Sequence, residues 1–427
     1  MMRKPLLALA LVAALAACVE DESLNPPTAN ADLADPLFAR YVAFGNSITS
    51  GFQSGGINDS VQVLSYAPLL AGQMGTEFNL PLLNRPGCPP PLLNIFTQTL
   101  VGNPGPLGCA LRNPDVPEHL NNVAIPGAGV LDVTNPLGAG NFSNTLTQII
   151  GGGRSQIENA AEVMPTFVTV WIGNNDALGA ATNSANPGNP ALVTTPATFA
   201  ARYGAMIDSL NAYGTVEGGV LIGVVQAGLA PFFTQGRVWK GFEQQFDAMT
   251  NPLNFLDVSN ACLSFTALTA TDTAWTAVPF TVGGPVLAEA SAKVDSVQDG
   301  DLDPVDVVPV VITCADDKAI TDTEMANLFS SVAQYNAAIE AIADELDWIF
   351  VDPNDLLVGL IGTPGAILPF PAFPGTGPTA EMSQNTPFGT ALSRDGIHPS
   401  TSTHRLVTNA LIQAINAKYG TSIPALN

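Results

Sequence analysis

Asp395 and His398 stand three residues apart in the run Ser393-Arg394-Asp395-Gly396-Ile397-His398-Pro399. At that spacing, within a turn, a carboxylate can accept from one imidazole nitrogen. It then holds the ring's tautomer and leaves the other nitrogen free to take a proton. The chain has only three histidines, His119, His398 and His404, so few groups could serve as a base near neutral pH. His404 falls on an expected closing helix and reads as structural or surface-lying. His119 lies in a proline-rich stretch and reads as a surface loop residue.

A base of this kind needs a nucleophile. Gly45-Asn46-Ser47-Ile48-Thr49 follows a short apolar run, Tyr41-Val42-Ala43-Phe44, directly. The run reads as a buried strand, and the segment after it as the opening of a helix. A serine there sits among backbone N–H groups that have no partner within the helix, which favours a developing anion. The structural alternative is an N-cap serine. Gly173-Asn174-Asn175-Asp176 follows Thr166–Ile172, a β-branched and aromatic strand. Its amides could donate to an oxyanion, or could simply make a turn. Gly127 follows the short apolar run Asn122–Ile125, and a glycine there can bring its N–H close to a substrate.

Taken together and in this order, the four segments resemble the SGNH (GDSL-type) serine hydrolases. The resemblance runs from Tyr41 to the C-terminus and leaves the insertions unmatched. It implies a three-layer α/β/α, flavodoxin-like fold with about five parallel strands. It also implies Ser47 as nucleophile, His398 as general base and then acid, and Asp395 as the partner that orients His398. The oxyanion donors implied are the backbone N–H groups of Ser47 and Gly127 and the side chain of Asn175. One departure is visible: Asn46 stands where the family name carries Asp. That Asp is not the triad acid, so the departure bears on hydrogen bonding around the nucleophile.

The elements that must position these residues alternate in type. Strands are expected at 41–44, 122–125, 166–172, 220–225 and 348–351. Between them, Val63–Met74 has apolar residues at helical spacing. Thr195-Pro196 opens a helix whose stripe is Phe199, Tyr203, Met206, Ile207 and Leu210. Thr321 and Glu324 form a capping-box pattern ahead of a long amphipathic helix. A last helix is expected from about Ser402 to Lys418. Such alternation implies a mostly parallel sheet covered on both faces. Loop-rich insertions are expected at about 77–120 and 231–316, and a Pro/Gly-rich loop at about 362–387.

Composition excludes several classes. The 427 residues carry 14 Lys plus Arg against 37 Asp plus Glu, a net charge of −23. That argues against a nucleic-acid partner, which needs a basic face. Hydrophobic residues make up 46%, enough for a sizeable core and too many for global disorder. The 39 glycines and 35 prolines imply many turns and exclude a coiled coil. The chain lacks G-x-S-x-G and H-E-x-x-H, which disfavours nucleophile-elbow hydrolases and zincin proteases. Asp299-Gly300-Asp301-Leu302-Asp303 with Asp306 is similar to a calcium loop, but Pro304 replaces the turn glycine and Val310 stands at the twelfth position. It reads better as a solvated acidic loop, and neither a metal nor an organic cofactor is expected.

The first residues read as an address. Arg3 and Lys4 precede the apolar run Pro5–Ala17, which is too short to span a bilayer. It ends Leu15-Ala16-Ala17-Cys18, which resembles the lipobox of bacterial lipoproteins and implies lipidation of Cys18 after cleavage before it. Residues 18–39 then read as a tether, and 40–427 as one hydrolase domain. Val19 after Cys18, in place of Asp, favours the outer membrane or cell surface. In an exported chain the four remaining cysteines suggest two disulfides. Three pairings are possible, and Cys88–Cys109 with Cys262–Cys314 is expected because each pair lies within one loop-rich segment.

These readings lead to a membrane-tethered serine esterase or lipase acting on a lipid or acylated small molecule. The rivals are a carbohydrate O-deacetylase on the same scaffold and a non-catalytic surface-binding lipoprotein.

Overall fold

The computed structural model describes residues 35–95, 98–102, 112–115, 117, 119–135, 145–250, 253–269, 273–315, 318–368 and 386–427. The expected signal segment, Cys18, most of the tether, Cys109 and most of the 362–387 loop lie outside the described residues. Among the described residues no helix is long and apolar enough to cross a membrane.

Four strands form the central sheet: β1 (Tyr41–Gly45), β2 (Phe167–Trp171), β3 (Gly218–Ile222) and β4 (Ile349–Val351). They lie in that order, and every pairing is parallel. The fifth strand expected at 122–125 is reduced to a single parallel bridge, Ala43 to Asn122, on the free edge of β1. Val123 and Ile125 still donate to the Ala43 and Gly45 carbonyls, at 3.0 and 3.2 Å, but the Gly45 N–H that a second bridge needs goes to the Gln156 side chain. Counting that edge segment, the order is the doubly wound, flavodoxin-like one.

Strand residues alternate between two apolar cores, as the two-residue strand period requires. On one face Val42, Phe44, Val168, Val170 and Leu221 pack with Phe199, Tyr203 and Leu210, and with Leu328, Tyr335 and Ile339. On the other face Tyr41, Ala43, Phe167, Trp171 and Val220 pack with Tyr66 and Leu70, and with Val407, Leu411 and Ile415.

Besides the short helices Asp59–Gln62 and Thr145–Gly151, the described residues form, in chain order, α1 (Ser47–Ser50), α2 (Tyr66–Met74), α3 (Gln156–Val163), α4 (Asn175–Ala181), α5 (Pro196–Asn211), α6 (Gly236–Thr250), α7 (Phe280–Gln298), α8 (Asp322–Glu345), α9 (Pro353–Ile361) and α10 (Thr401–Tyr419). Thr195 caps α5 with Pro at its first turn. Thr321 and Glu324 close the expected capping box at α8. Of the numbered helices outside the 231–316 segment, three escape the sequence pattern. At α3 the signal was present as a second capping box, Ser155 with Glu158. At α4 the run Asn174-Asn175-Asp176 reads as a turn but starts a helix. At α9 the start is marked by Asp352, whose side chain caps Asn354, and by Pro353.

The 231–316 segment is less loop-rich than expected. It contains α6 and α7, the latter running through Pro285, and it builds a third core around Trp239, Phe255, Val278 and Leu287 that reaches Phe388 and Leu392. The expected Cys262–Cys314 disulfide is present. Cys88 is also held in a disulfide; Cys109, its expected partner, lies outside the described residues. The acidic 299–306 run folds into a short turn capped by Asp303. Among the described residues no group of three or more His, Cys, Asp or Glu is placed to hold a metal.

Candidate active site

Ser47, Asn174, Val225 and Pro353 all follow the carboxyl ends of sheet strands, where open parallel sheets form their binding crevices. Ser47 is the first residue of the single-turn α1. Asn46 caps this turn, its Oδ1 accepting from the Ile48 N–H at 3.2 Å. An Asn thus fills the capping position as an Asp would, although its buried Nδ2 has no partner among the described residues. The strand-to-turn junction is tight. A side chain at Gly45 would place a Cβ 2.1 Å from Thr49 Oγ1. Both backbone groups of Gly45 are gripped by Gln156, with Gly45 N–H donating to Oε1 at 3.0 Å and Nε2 donating to the Gly45 carbonyl at 2.8 Å. Gln156 is fully buried and was not suggested by the sequence reading.

The closing loop brings the base. His398 Nε2 lies 3.0 Å from Ser47 Oγ, and Nδ1 lies 2.8 Å from Asp395 Oδ2. Asp395 is saturated with donors. Its Oδ1 accepts from the N–H groups of Ile397 and His398 at 2.9 Å and from Ser393 Oγ, and its Oδ2 accepts from the Gly55 N–H at 2.7 Å. Burial alone would raise the Asp395 pKa. The His398 ring and the backbone donors outweigh it and hold the carboxyl down at about 2. The loop is also stitched to the segment after α1: Ser54 N–H donates to Ser393 Oγ at 2.8 Å, and Arg394 N–H to Ser54 Oγ at 3.2 Å. Phe52 packs against the His398 ring, with centroids 4.9 Å apart. Base and nucleophile are therefore positioned by one hydrogen-bonded block.

The other two oxyanion candidates are tied to each other. Gly127 has φ +85°, and its N–H makes no hydrogen bond among the described residues. Asn175 Nδ2 donates to the Ala128 carbonyl at 2.8 Å. An amide nitrogen has two hydrogens, so this contact ties Asn175 to the Gly127 loop and leaves one N–H over. Two carboxylates fix the same loop. Asp176 accepts from Val130 N–H at 2.8 Å, and Asp132 accepts from Gly129 N–H at 2.8 Å. Burial pushes the Asp176 pKa up to about 6. Gly173, at φ +107°, has no room for a Cβ, which would meet Phe199 at 2.7 Å.

His404 and His119 stand apart from the relay. His404 is completely buried on α10, its Nδ1 accepting from Tyr66 N–H at 3.2 Å. Burial, reinforced by charge on His398, lowers its pKa to about 3, so it is neutral and structural. His119 is exposed, 3.7 Å from Glu162.

Ser47 and His398 open onto a cleft of about 830 Å³, the part open to solvent included. Its walls are almost wholly apolar and include Trp171, Leu178, Val225 and the inner side of α9. A hydroxyl hydrogen-bonded to an imidazole whose far nitrogen faces a carboxylate can be deprotonated as it attacks. The N–H of Ser47, at the first position of its turn, has no partner within the helix and can face the resulting negative charge.

No protein-family model and no curated protein sequence matches the chain. Among solved structures, an acetylxylan esterase from Geobacillus stearothermophilus is similar at 13% identity, over 91% of this chain and 97% of that one, with a TM-score of 0.36. An extracellular lipase from Streptomyces rimosus is similar at 14% identity, over 88% and 98%, with a TM-score of 0.34. A family two carbohydrate esterase from Clostridium thermocellum is similar at 13% identity, over 90% of this chain and 65% of that one, with a TM-score of 0.32. At these scores the likeness is weak, and the relay of Ser47, His398 and Asp395 carries the functional reading by itself.

Proposed function

We propose that the protein is a serine hydrolase of carboxylic esters, working through an acyl-enzyme and tethered to a membrane through lipidated Cys18. The observation that carries the reading is the unbroken chain Ser47 Oγ–His398–Asp395, with links of 3.0 and 2.8 Å, at the mouth of an apolar cleft.

In the first half-reaction Ser47 Oγ bonds to the ester carbonyl carbon while its proton passes to His398 Nε2. The carbonyl oxygen becomes an oxyanion held by the Ser47 and Gly127 N–H groups and the remaining N–H of Asn175. The tetrahedral intermediate collapses, the C–O bond to the alcohol breaks, and His398 returns the proton to the leaving alkoxide. In the second half, water gives a proton to His398 Nε2 as its oxygen bonds to the acyl carbon; the bond to Ser47 Oγ then breaks, His398 returns the proton to Oγ, and the acid leaves. Asp395 stays ionised throughout, which its depressed pKa favours.

Supporting the tether are the lipobox-like Leu15-Ala16-Ala17-Cys18 and the proline-bearing stretch after it. Outer-membrane or cell-surface placement is part of the proposal. Mass spectrometry of the mature N-terminus tests the lipid, and fractionation tests the membrane.

The test of the activity is steady-state turnover of a panel of simple aryl and alkyl esters by wild type and by Ser47→Ala. Turnover by wild type that Ser47→Ala lacks is expected. Equal turnover by both places the chemistry elsewhere.

A further inference from the structure

The cleft beside Ser47 and His398 differs in character from the triad it serves. Trp171, Leu178, Val225, Leu356, Leu357 and Leu360 line it, the last three from α9. Polar side chains other than the triad's are few and largely engaged. Asn174 Oδ1 accepts from Val225 N–H at 2.9 Å, while its buried Nδ2 has no partner among the described residues, and Thr403 Oγ1 donates to the Ala391 carbonyl at 2.6 Å. A sugar ring seated here would bury several hydroxyls with little beyond the one Asn174 amide to pair them, and each hydroxyl stranded away from water weakens binding. A hydrocarbon chain would remove apolar surface from water on both sides at no such cost.

We infer that this cleft takes a linear hydrocarbon chain of the ester and that α9 is the wall that selects it, so the enzyme's substrates are esters of long apolar chains rather than acetylated sugars. This rests on the ester-hydrolase reading above. The sequence of α9, Pro-Asn-Asp-Leu-Leu-Val-Gly-Leu-Ile, suits the role. Leu356, Leu357 and Leu360 recur at helical spacing toward the cleft, and Pro353 and the Asp352 cap fix the helix directly to β4 in the sheet. The wall is therefore rigid at its base and presents a continuous aliphatic side. The chain it takes belongs to the acid or to the alcohol of the ester, and the two are separable by experiment.

The experiment measures kcat/KM for two series: p-nitrophenyl esters of acids from acetate to dodecanoate, and acetates of linear alcohols of the same lengths. Acetylated xylo-oligosaccharides are run beside them. In at least one series kcat/KM is expected to climb about threefold per added methylene over the first several carbons. Leu356→Trp and Leu360→Trp, which fill the cleft, are expected to lower the ratio of long-chain to acetyl turnover at least tenfold. Val305→Ser, at an 84% exposed position in the insertion, is expected to leave that ratio unchanged. Because each ratio comes from one protein sample, any loss of folded protein cancels. Flat series in both arms, preference for the acetylated sugar, or ratios untouched by the α9 variants would each overturn the inference while leaving a Ser47-dependent esterase standing. Absence of Ser47-dependent turnover of any ester, short or long, removes the ester-hydrolase reading and the chain slot with it.

Discussion

His398 Nε2 sits 3.0 Å from Ser47 Oγ although 351 positions of sequence separate the two residues. The fold closes that gap by placing β1 inside the sheet and by pinning the C-terminal loop to the turn after α1 through Ser54, Gly55, Ser393 and Asp395. Removal of either partner should therefore stop turnover while the fold persists. Ser47→Ala and His398→Ala are expected to lower kcat by roughly ten-thousand-fold or more with near-wild-type circular dichroism. Retention of more than a few per cent of activity in either variant would count against the relay.

Asp395 does two things at once, and its substitution should show both. In Asp395→Asn one carboxylate oxygen becomes an NH2 group facing N–H donors from Gly55, or from Ile397 and His398. A fall in kcat of roughly a hundred- to ten-thousand-fold is expected, together with a lower melting temperature. Kinetics without a stability change would mean that the loop is held by something else.

The strand, the nucleophile and the base were legible in the sequence because each rests on short-range pattern. Tyr41–Gly45 is apolar throughout, Ser47 follows it at once, and Asp395 and His398 are near neighbours. Gln156 was not legible. Its importance lies in two hydrogen bonds to Gly45, 111 residues away, and nothing local distinguishes it from a surface glutamine. The α9 wall was missed for a different reason. Nine residues bounded by a strand and a glycine-rich loop look like a continuation of the loop until the Asp352 cap is seen. The fifth strand was over-read for the same reason as Gln156 was missed, since nothing in residues 122–125 shows that the Gly45 N–H opposite them goes to Gln156.

Gln156→Ala tests how the nucleophile turn is held. It strands a buried backbone N–H at Gly45, a loss of about 1–3 kcal/mol. Chemical denaturation should show that loss, and kcat should fall more than KM rises, because the displaced group is Ser47 and not the apolar cleft. Unchanged stability would show that water replaces the glutamine.

His404 sets an acid limit. The free imidazole takes up a proton near 6.5, whereas the buried ring resists protonation down to about 3. Its contribution to stability is complete above about pH 6.5 and is lost progressively as the pH falls toward 3. Because Asp176 acts with the opposite sign between about pH 4 and 6, the readout is the difference between proteins: the wild type should lose melting temperature relative to His404→Phe as the pH falls through that window, although the variant leaves the Tyr66 N–H without its acceptor. Parallel profiles would assign the acid sensitivity to other groups.

Asp176 carries the opposite sign. Its carboxyl is held up at about 6 by burial, against an ordinary value of 3.8. Ionisation therefore costs folded-state stability as the pH rises from about 4 to 6, by roughly 3 kcal/mol in all. Asp176→Asn keeps an acceptor for Val130 N–H and should remove that decline. A steeper decline in the variant would mean that the ionised form is the one the fold prefers.

The central claim is that Ser47 is an activated nucleophile. Intact-protein and peptide mass spectrometry after treatment with a fluorophosphonate measures this directly. A single adduct on the peptide containing Ser47, absent from Ser47→Ala and slowed in His398→Ala, is the expected result. An adduct on another residue, or equal labelling of Ser47→Ala, would contradict it.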